Sequence, residues 1–583
     1  MSNVVVIGAG LAGLASALML ADNGHRVRIV ARGWGGLLLS KGTIDILGWS
    51  GDGSTTRDGS ATRDGSFSSD TIGDGNLSTA AMSGRSSERD QPVHALAPAL
   101  ADFIAAHPEH PYAAIGAERV LAGAQWLTGR LPFFSSVSRS FASVLPLPSS
   151  APSSPSSAPS SPSSAPSSPS SAPLSAIAGE DASRAPSKEM ETSATLTNKL
   201  LPTAIGSVQP SAFVPDSMLA SALTAGEHYL IVGISNLKDF HPQLVADNLA
   251  ASPYVPVHTR AVSITLPIQS DHSGYNVDAT GTAIARCLDS TNACNSLSGN
   301  SGSSYAGSAH CSENDGIRDG ECTTRSRSND SFTARSPEFI SLAQQLKDAV
   351  HPGEIVLVPA VLGLNSQTYT ALSKEIGVPV GEIPLPPPSI PGRRLHDYLV
   401  HECRERRIDI MLNAEAVGVT PDAHVSAQSN SAIPVAASSE PSTADLPLIR
   451  SVAVRVAGGV KQLRADAVVY AGGGFESGAL ERDSFGRVRD TLCSLAVWSP
   501  DGEIFGSGVR VDRSMRPLAL RSDGSPSSAI FANLYCVGSI LGGALPWDEG
   551  SGEGIALGSA FAAAEAIGQQ SNQHSNQQSK ENY

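Results

Sequence analysis

The hexapeptide Gly8-Ala9-Gly10-Leu11-Ala12-Gly13 most constrains the fold, because it stands between the β-branched run Val4-Val5-Val6-Ile7 and a stretch with Leu14, Ala17, Leu18 and Ala21 at helical spacing. The order is strand, tight turn, helix. The first glycine permits the turn, the second lets the backbone approach a pyrophosphate, and the third lets helix and strand pack closely. N–H groups at the helix start then face the phosphate, where the macrodipole favours negative charge. Gly24 follows as a C-terminal cap, and a second strand over Arg26 to Val30 completes a βαβ half-unit.

In such a unit an Asp or Glu at the end of the second strand usually binds a ribose hydroxyl. Here that place is Ala31, followed by Arg32. A methyl group accepts no hydrogen bond, which leaves four explanations open. They are NADP with its extra phosphate on Arg32, FAD held without the acid, a flavin mononucleotide with no adenosine, or a degenerate site in a scaffold. Arg32 alone also reads as an exposed surface cation.

Two further glycine turns carry a similar signature. Ala467-Val468-Val469-Tyr470 is a strand running into Gly472, Gly473 and Gly474, where the backbone can closely approach a ligand or another chain segment. Leu534 to Ser539 leads to Gly542 and Gly543, and Gly550, Gly552 and Gly554 open a helix expected over Ile555 to Ile567. A helix start reached through glycines is an anion or carbonyl site. The expected cofactor contacts are Gly8, Gly10, Leu11, Ala12, Gly13, Arg32, Ser40, Gly42, Gly472, Gly473, Gly538, Ser539, Gly542, Gly543, Gly552 and Gly554.

Three side chains are candidates for catalysis. Lys41, in Ser40-Lys41-Gly42-Thr43-Ile44-Asp45, can place a positive charge near N1 of a reduced flavin, and reads equally as a surface lysine. His110, before Pro111-Tyr112, is an acid–base group or a satisfied structural histidine. Arg394, with Arg393 after Pro391-Gly392, offers phosphate a bidentate guanidinium or pairs structurally with a carboxylate.

Bulk properties exclude other classes. A net charge of −15 argues against a nucleic-acid partner. No run approaches the roughly 18–20 apolar residues of a membrane span, and the N-terminus enters a strand at once, so a cytoplasmic location is expected. Seven cysteines (287, 294, 311, 322, 403, 493 and 536) show no metal-ligand spacing, so no metal is expected. Residues 50–92 repeat Asp-Gly-Ser, residues 148–175 repeat Ala-Pro-Ser-Ser-Pro-Ser-Ser, and residues 289–336 and 420–447 are rich in Ser, Asn, Gly and Ala. Such segments bury too little apolar surface to offset chain entropy and are expected to be disordered. Among the foldable remainder, strands are expected at His228 to Ile234, Ile355 to Val358, Val452 to Val456 and Ala467 to Tyr470, and a helix at Ser336 to Val350.

The stretches VVVIGAGLAGLASALMLADNGHRVRIVARG, SKGTIDILGW, HPYAAIGAERVL, LIVGISNLKDFHPQLVADNL, IARCLD, IVLVPAVLGL, IPLPPPSIPGRRL, AVVYAGGGFESGAL and NLYCVGSILGGALPWDEGSGEGIALGSAFAAAEAI together resemble the B subunits of anaerobic glycerol-3-phosphate dehydrogenases, bacterial quinone-linked enzymes of three subunits. The resemblance implies an α/β, two-lobed FAD/NAD(P)-binding Rossmann-like flavoprotein fold with a cap domain and long disordered insertions. The implied domains are the start of the nucleotide-binding domain over 1–49, a helical segment over 93–147 and a low-complexity run over 148–200. A cap and partner-contact domain follows over 201–288 and 337–419, then the rest of the flavin-binding domain over 448–567 and a disordered tail over 568–583. It further implies oxidation of sn-glycerol 3-phosphate to dihydroxyacetone phosphate with electrons passed to a quinone. FMN is the expected cofactor, with FAD the alternative. The implied partners are a catalytic subunit containing FAD and a membrane-anchoring iron–sulfur subunit, which would hold the chain at the cytoplasmic face of the membrane. A cofactor-free scaffold and a stand-alone flavin oxidoreductase are the alternatives of different class.

Overall fold

The computed structural model describes residues 1–50, 91–134, 196–268, 279–289, 335–422, 446–500 and 504–581. The expected insertions fall almost wholly outside these residues. The chain opens as β1 (Asn3–Ala9), α1 (Leu11–Asp22) and β2 (Arg26–Trp34), then passes through α2 (Leu96–Ala106), α3 (Pro111–Ile115) and α4 (Ala117–Thr128). A second lobe follows with β3 (Lys199–Pro202), β4 (Val208–Ser211), β5 (His228–Ile234), α5 (Pro242–Ala250), β6 (His258–Ile264), α6 (Gly281–Asp289), α7 (Pro337–Ala349), β7 (Glu354–Pro359), α8 (Ser366–Ile376) and β8 (Val380–Ile383). The chain then returns through α9 (Ile390–Glu405), β9 (Asp409–Met411), β10 (Glu415–Pro421), β11 (Ile449–Val456), β12 (Gly459–Arg464), β13 (Ala467–Tyr470), β14 (Leu534–Cys536) and α10 (Gly552–Glu581).

The first lobe is built on a parallel sheet of order β9-β2-β1-β13-β14. Val4 to Ile7 sit in its middle, in register with Val27 to Val30 on one side and Ala467 to Tyr470 on the other. Both faces of that centre are covered, which is why β1 reads as an unbroken apolar run rather than an alternating one. Helix α1 is buried from Ala12 to Leu20 and packs against α10. The second lobe has its own core and a four-stranded parallel sheet of order β8-β7-β5-β6. Its strand order reverses between β5 and β7, the position where open α/β sheets usually bind ligands. There the chain supplies its own anion: Asp289 accepts hydrogen bonds from Leu364 N (2.6 Å), Asn365 N (3.1 Å) and Thr368 Oγ1 (2.5 Å) at the start of α8.

The expected strands at 228–234, 355–358, 452–456 and 467–470 all occur, and Ser336 caps α7 by accepting from Phe339 N at 3.1 Å. Three boundaries differ. Residues 390–419, expected in the cap, belong to the first lobe, because Leu395, Leu399, Val400 and Cys403 on α9 pack into its core and β9 pairs with β2. Lys199 and Leu200, expected in the low-complexity run, start a hairpin. The polar tail from Gly568, expected to be disordered, continues α10 to Glu581. No Gly or Pro follows Gly568 to stop it, and Tyr535 Oη donates to Gln570 Oε1 at 2.9 Å while the Ser2 and Ser571 hydroxyls meet at 3.0 Å.

Candidate functional site

Gly8 takes φ +112°, and a side chain there or on Gly13 would run into a backbone carbonyl, that of Ala471 or of Gly8. These two glycines serve the turn and the helix–strand contact. Gly10 differs, since a Cβ on it would find only Gly35 Cα, at 4.0 Å. Gly10 is the N-cap of α1, with no side-chain cap and no acid in the first turn. Helical hydrogen bonding begins with Leu14 N to Gly10 O at 2.9 Å. The N–H groups of Leu11, Ala12 and Gly13 therefore have no partner within the helix, and its positive end is uncompensated. An open glycine before an uncapped helix start on a parallel sheet fits the phosphate of a flavin nucleotide.

Ala31 is 6% exposed, and its carbonyl accepts from Ala414 N at 3.1 Å. The place of the ribose acid thus holds no acceptor side chain. Arg32, an expected cofactor contact, has partners within the chain. Its guanidinium donates to the Ser477 carbonyl and pairs with Glu415 at 3.7 Å, so it ties the end of β2 to neighbouring segments.

Two of the later glycine turns do flank α1. Gly8 touches Ala471 ahead of Gly472 and Gly473, while Gly538 (φ +75°) leaves room for Ala12 Cβ, and Ser539 beside it is exposed. Other expected contacts are used in packing instead. Gly542 lies on the Gly508 backbone, Gly543 on the Glu109 carbonyl, and Gly554 on Ile46 and the Tyr112 hydroxyl. Gly552 is not among these, since a Cβ on it would make only an ordinary contact with Pro546, at 3.5 Å. Ser40 and Gly42 face the start of α9, where Gly42 lies on Pro391 and the Ser40 carbonyl on Gly392. Glycines that let chain segments touch and a glycine with open space over it, such as Gly10, look alike in sequence, and only the three-dimensional contacts separate the two; Gly472 and Gly473 also belong to the first kind, lying on the Tyr470 ring and the Ser477 side chain.

Beyond the cradle, the segment after β2 and the start of α10 bring together a titratable cluster that sequence reasoning reaches only through Lys41 and His110. Lys41 Nζ donates to Asp45 Oδ2 at 2.6 Å, and buried Asp45 also accepts from Gln209 Nε2 (3.0 Å) and Ser211 Oγ (2.6 Å) on β4. Burial works to lower the Lys41 pKa, but the Asp45 and Glu553 carboxylates outweigh it and hold it up. Glu553, in the first turn of α10, is pushed up to about 7 by burial and then by the Asp45 charge, against the lowering pull of Lys41. Glycines either side of Glu553 at a helix start are the available signal for that carboxylate.

His110 is placed as a structural histidine. Its Nδ1 accepts from Tyr112 N at 3.1 Å, which leaves Nε2 to donate to Glu549 at 3.2 Å. Burial raises the Glu549 pKa, yet hydrogen bonds from His110, Leu545 N and Ser551 Oγ bring it below the ordinary carboxylate value. Tyr112 Oη donates to the Ile46 and Ser551 carbonyls at 2.5 and 3.0 Å. Burial, then the charges of Glu549, Glu553 and Asp45, drives its pKa well up.

Arg394 is likewise no open phosphate site. Pro391 and Gly392 lie in the first turn of α9, capped by Ser389 Oγ accepting from Gly392 N at 3.0 Å. The buried guanidinium pairs with Glu382 at 2.6 Å and donates to the Gly363 carbonyl at 2.9 Å. Arg393, which is exposed to a greater degree, pairs with Asp397 at 3.0 Å. Among the described residues no group of three or more His, Cys, Asp or Glu could hold a metal, and no helix is long and apolar enough to cross a membrane.

Comparison with known proteins agrees with the cradle. The profile of a family described as FAD binding domain matches residues 3–63 and 71–555. A probable anaerobic glycerol-3-phosphate dehydrogenase B subunit from Halobacterium salinarum is 25% identical over 95% of either chain. The anaerobic glycerol-3-phosphate dehydrogenase B subunit of Pectobacterium carotovorum is 24% identical over 95% of this chain and 96% of its own. That of Mannheimia succiniciproducens is 22% identical over 71% of this chain and 65% of its own. The resemblance read from the sequence and the expectation of a flavin are both supported. The cofactor that the family description names is FAD rather than the FMN expected from Ala31.

Proposed function

This chain belongs to the FAD binding domain family, and from that premise we propose that it is the flavoprotein B subunit of an anaerobic glycerol-3-phosphate dehydrogenase. In this reading it works within a complex that oxidises sn-glycerol 3-phosphate to dihydroxyacetone phosphate and passes the electrons to a quinone. Its partners are a catalytic subunit containing FAD and an iron–sulfur subunit that holds the assembly at the cytoplasmic face of the membrane. The observation that carries the reading is the uncapped start of α1 behind Gly10, on a chain whose relatives are B subunits along its length.

A bound flavin would supply the redox chemistry. The chain's own part is to hold and orient it. Leu11, Ala12 and Gly13 present N–H groups to the phosphate, and the turns at 471–474 and 537–539 close on the same helix end. Lys41, Asp45 and Glu553 hold a positive charge and an exchangeable proton beside the start of α10.

FAD is the first reading for the cofactor, because the family is one of FAD binding domains. FMN is the second, favoured by Ala31 at the place of the ribose acid. Heat release of the cofactor from the purified complex, followed by mass spectrometry, separates them. Stoichiometric FAD or FMN decides between the two readings. Flavin-free chain from a flavin-replete complex would overturn the redox role and leave a scaffold that stabilises its catalytic partner. Substrate turnover by this chain without partners would instead point to a stand-alone flavin oxidoreductase.

A further inference from the structure

Arg32 sits near the end of β2, next to the place of the ribose acid, and Ser477 lies past the end of β13. Strand β1 runs between those two strands in the parallel sheet. The bond from the Arg32 guanidinium to the Ser477 carbonyl therefore crosses the C-terminal end of β1, at the sheet edge where such folds bind nucleotides. Both of its ends are anchored. Ser477 Oγ donates to the Gly472 carbonyl at 2.6 Å and the Gly474 carbonyl at 3.2 Å, and a Cβ on Gly478 would lie 3.0 Å from the guanidinium. At the β2 end, Ala414 N on the Ala31 carbonyl brings Glu415 alongside, 3.7 Å from Arg32, with its second oxygen on Arg455 at 2.5 Å. Gly10 is not crowded in this way, since a Cβ there finds only Gly35 Cα. The crevice is thus open at its phosphate end and crossed by a cation at its ribose end, with no acid at Ala31 to hold a ribose.

We propose that Arg32 is a specificity-determining residue of the cradle, a strap across its ribose end that an adenosine must displace and a mononucleotide need not. The inference rests on the flavin reading of the cradle and concerns which end of the ligand Arg32 resists. Its side chain is 57% exposed. An exposed ion pair is weak and a hydrogen bond from a charged group is stronger, so displacing the strap costs a dinucleotide affinity without forbidding it. Arg32 then loses the Ser477 carbonyl and Glu415, and the ribose gains no carboxylate from Ala31 in exchange. The opposite role, a guanidinium that grips the adenosine end, carries the opposite sign on substitution.

Equilibrium binding of FAD, FMN and ADP to the flavin-free full chain, followed by flavin fluorescence and calorimetry, tests the proposal. Arg32→Ala is expected to shift the ratio of FAD to FMN affinity about tenfold toward FAD, and to tighten ADP by a similar factor. Glu415→Gln loosens one anchor and leaves the Ser477 carbonyl, so it is expected to shift the ratio in the same direction by less. A shift below about threefold in Arg32→Ala, or weaker binding of FAD and ADP, would overturn the proposal and leave the flavin reading in place. Binding of no flavin by either wild type or variant overturns that reading as well.

Discussion

Arg394 on the first lobe and Glu382 on the second form an ion pair at 2.6 Å whose side chains are 5% and 0% exposed, the guanidinium also donating to the Leu362 and Gly363 carbonyls. Removing one partner of such a pair strands a buried charge, which typically costs about 3–5 kcal/mol. Arg394→Met is therefore expected to lower the urea midpoint steeply, and Arg394→Met with Glu382→Leu to recover much of the loss. A single substitution within about 0.5 kcal/mol of wild type would show that the pair does not join the lobes.

The two inner glycines of the cradle are expected to behave differently. A methyl on Gly13 meets the Gly8 carbonyl, so Gly13→Ala should cost stability even without cofactor. A methyl on Gly10 finds free space, so Gly10→Ala should keep the thermal midpoint of the apo-protein and lose flavin. Flavin absorbance per chain, read beside apo-protein melting, checks both. Unchanged flavin content in Gly10→Ala would move the phosphate away from α1.

Much of this is legible in the sequence, and the reasons differ by element. The β1–α1–β2 unit, the Ser336 cap and the strand at 228–234 can be read directly because local pattern and tertiary role coincide there. The assignment of α9 cannot, since its stripe of Leu395, Leu399 and Cys403 shows that one face is buried but not against which lobe. Cofactor glycines are over-read for the same reason: Gly42, Gly543 and Gly554 are needed by contacts with Pro391, Glu109 and Tyr112, which lie far off in sequence. The Asp45–Ser211 contact spans 166 residues, so no spacing rule could find it.

Asp289 is expected to act as a fixed internal anion of the second lobe. It satisfies two backbone N–H groups and the Thr368 hydroxyl ahead of α8. Loss of such contacts costs about 1–3 kcal/mol for a buried donor left unpaired, so Asp289→Ala should destabilise by that order and Asp289→Asn by less. Urea denaturation measures the difference. Equal effects of the two would mean that charge at the helix start matters more than acceptor geometry.

Glu553 gives the chain a pH dependence of definite sign. Its folded-state pKa is raised from the ordinary 4.5 to about 7, chiefly by burial and then by Asp45. Between those values the folded state binds the proton more tightly than the unfolded chain does. The stabilisation is therefore fully present below pH 4.5 and is lost as pH rises through about 7. A neutral amide escapes that loss. Glu553→Gln should melt close to wild type at pH 5 and be more stable at pH 8, by on the order of 1–3 kcal/mol. Calorimetric melting at the two pH values provides the measurement. A gain of equal size at both would place the effect of Glu553 in packing rather than in its proton.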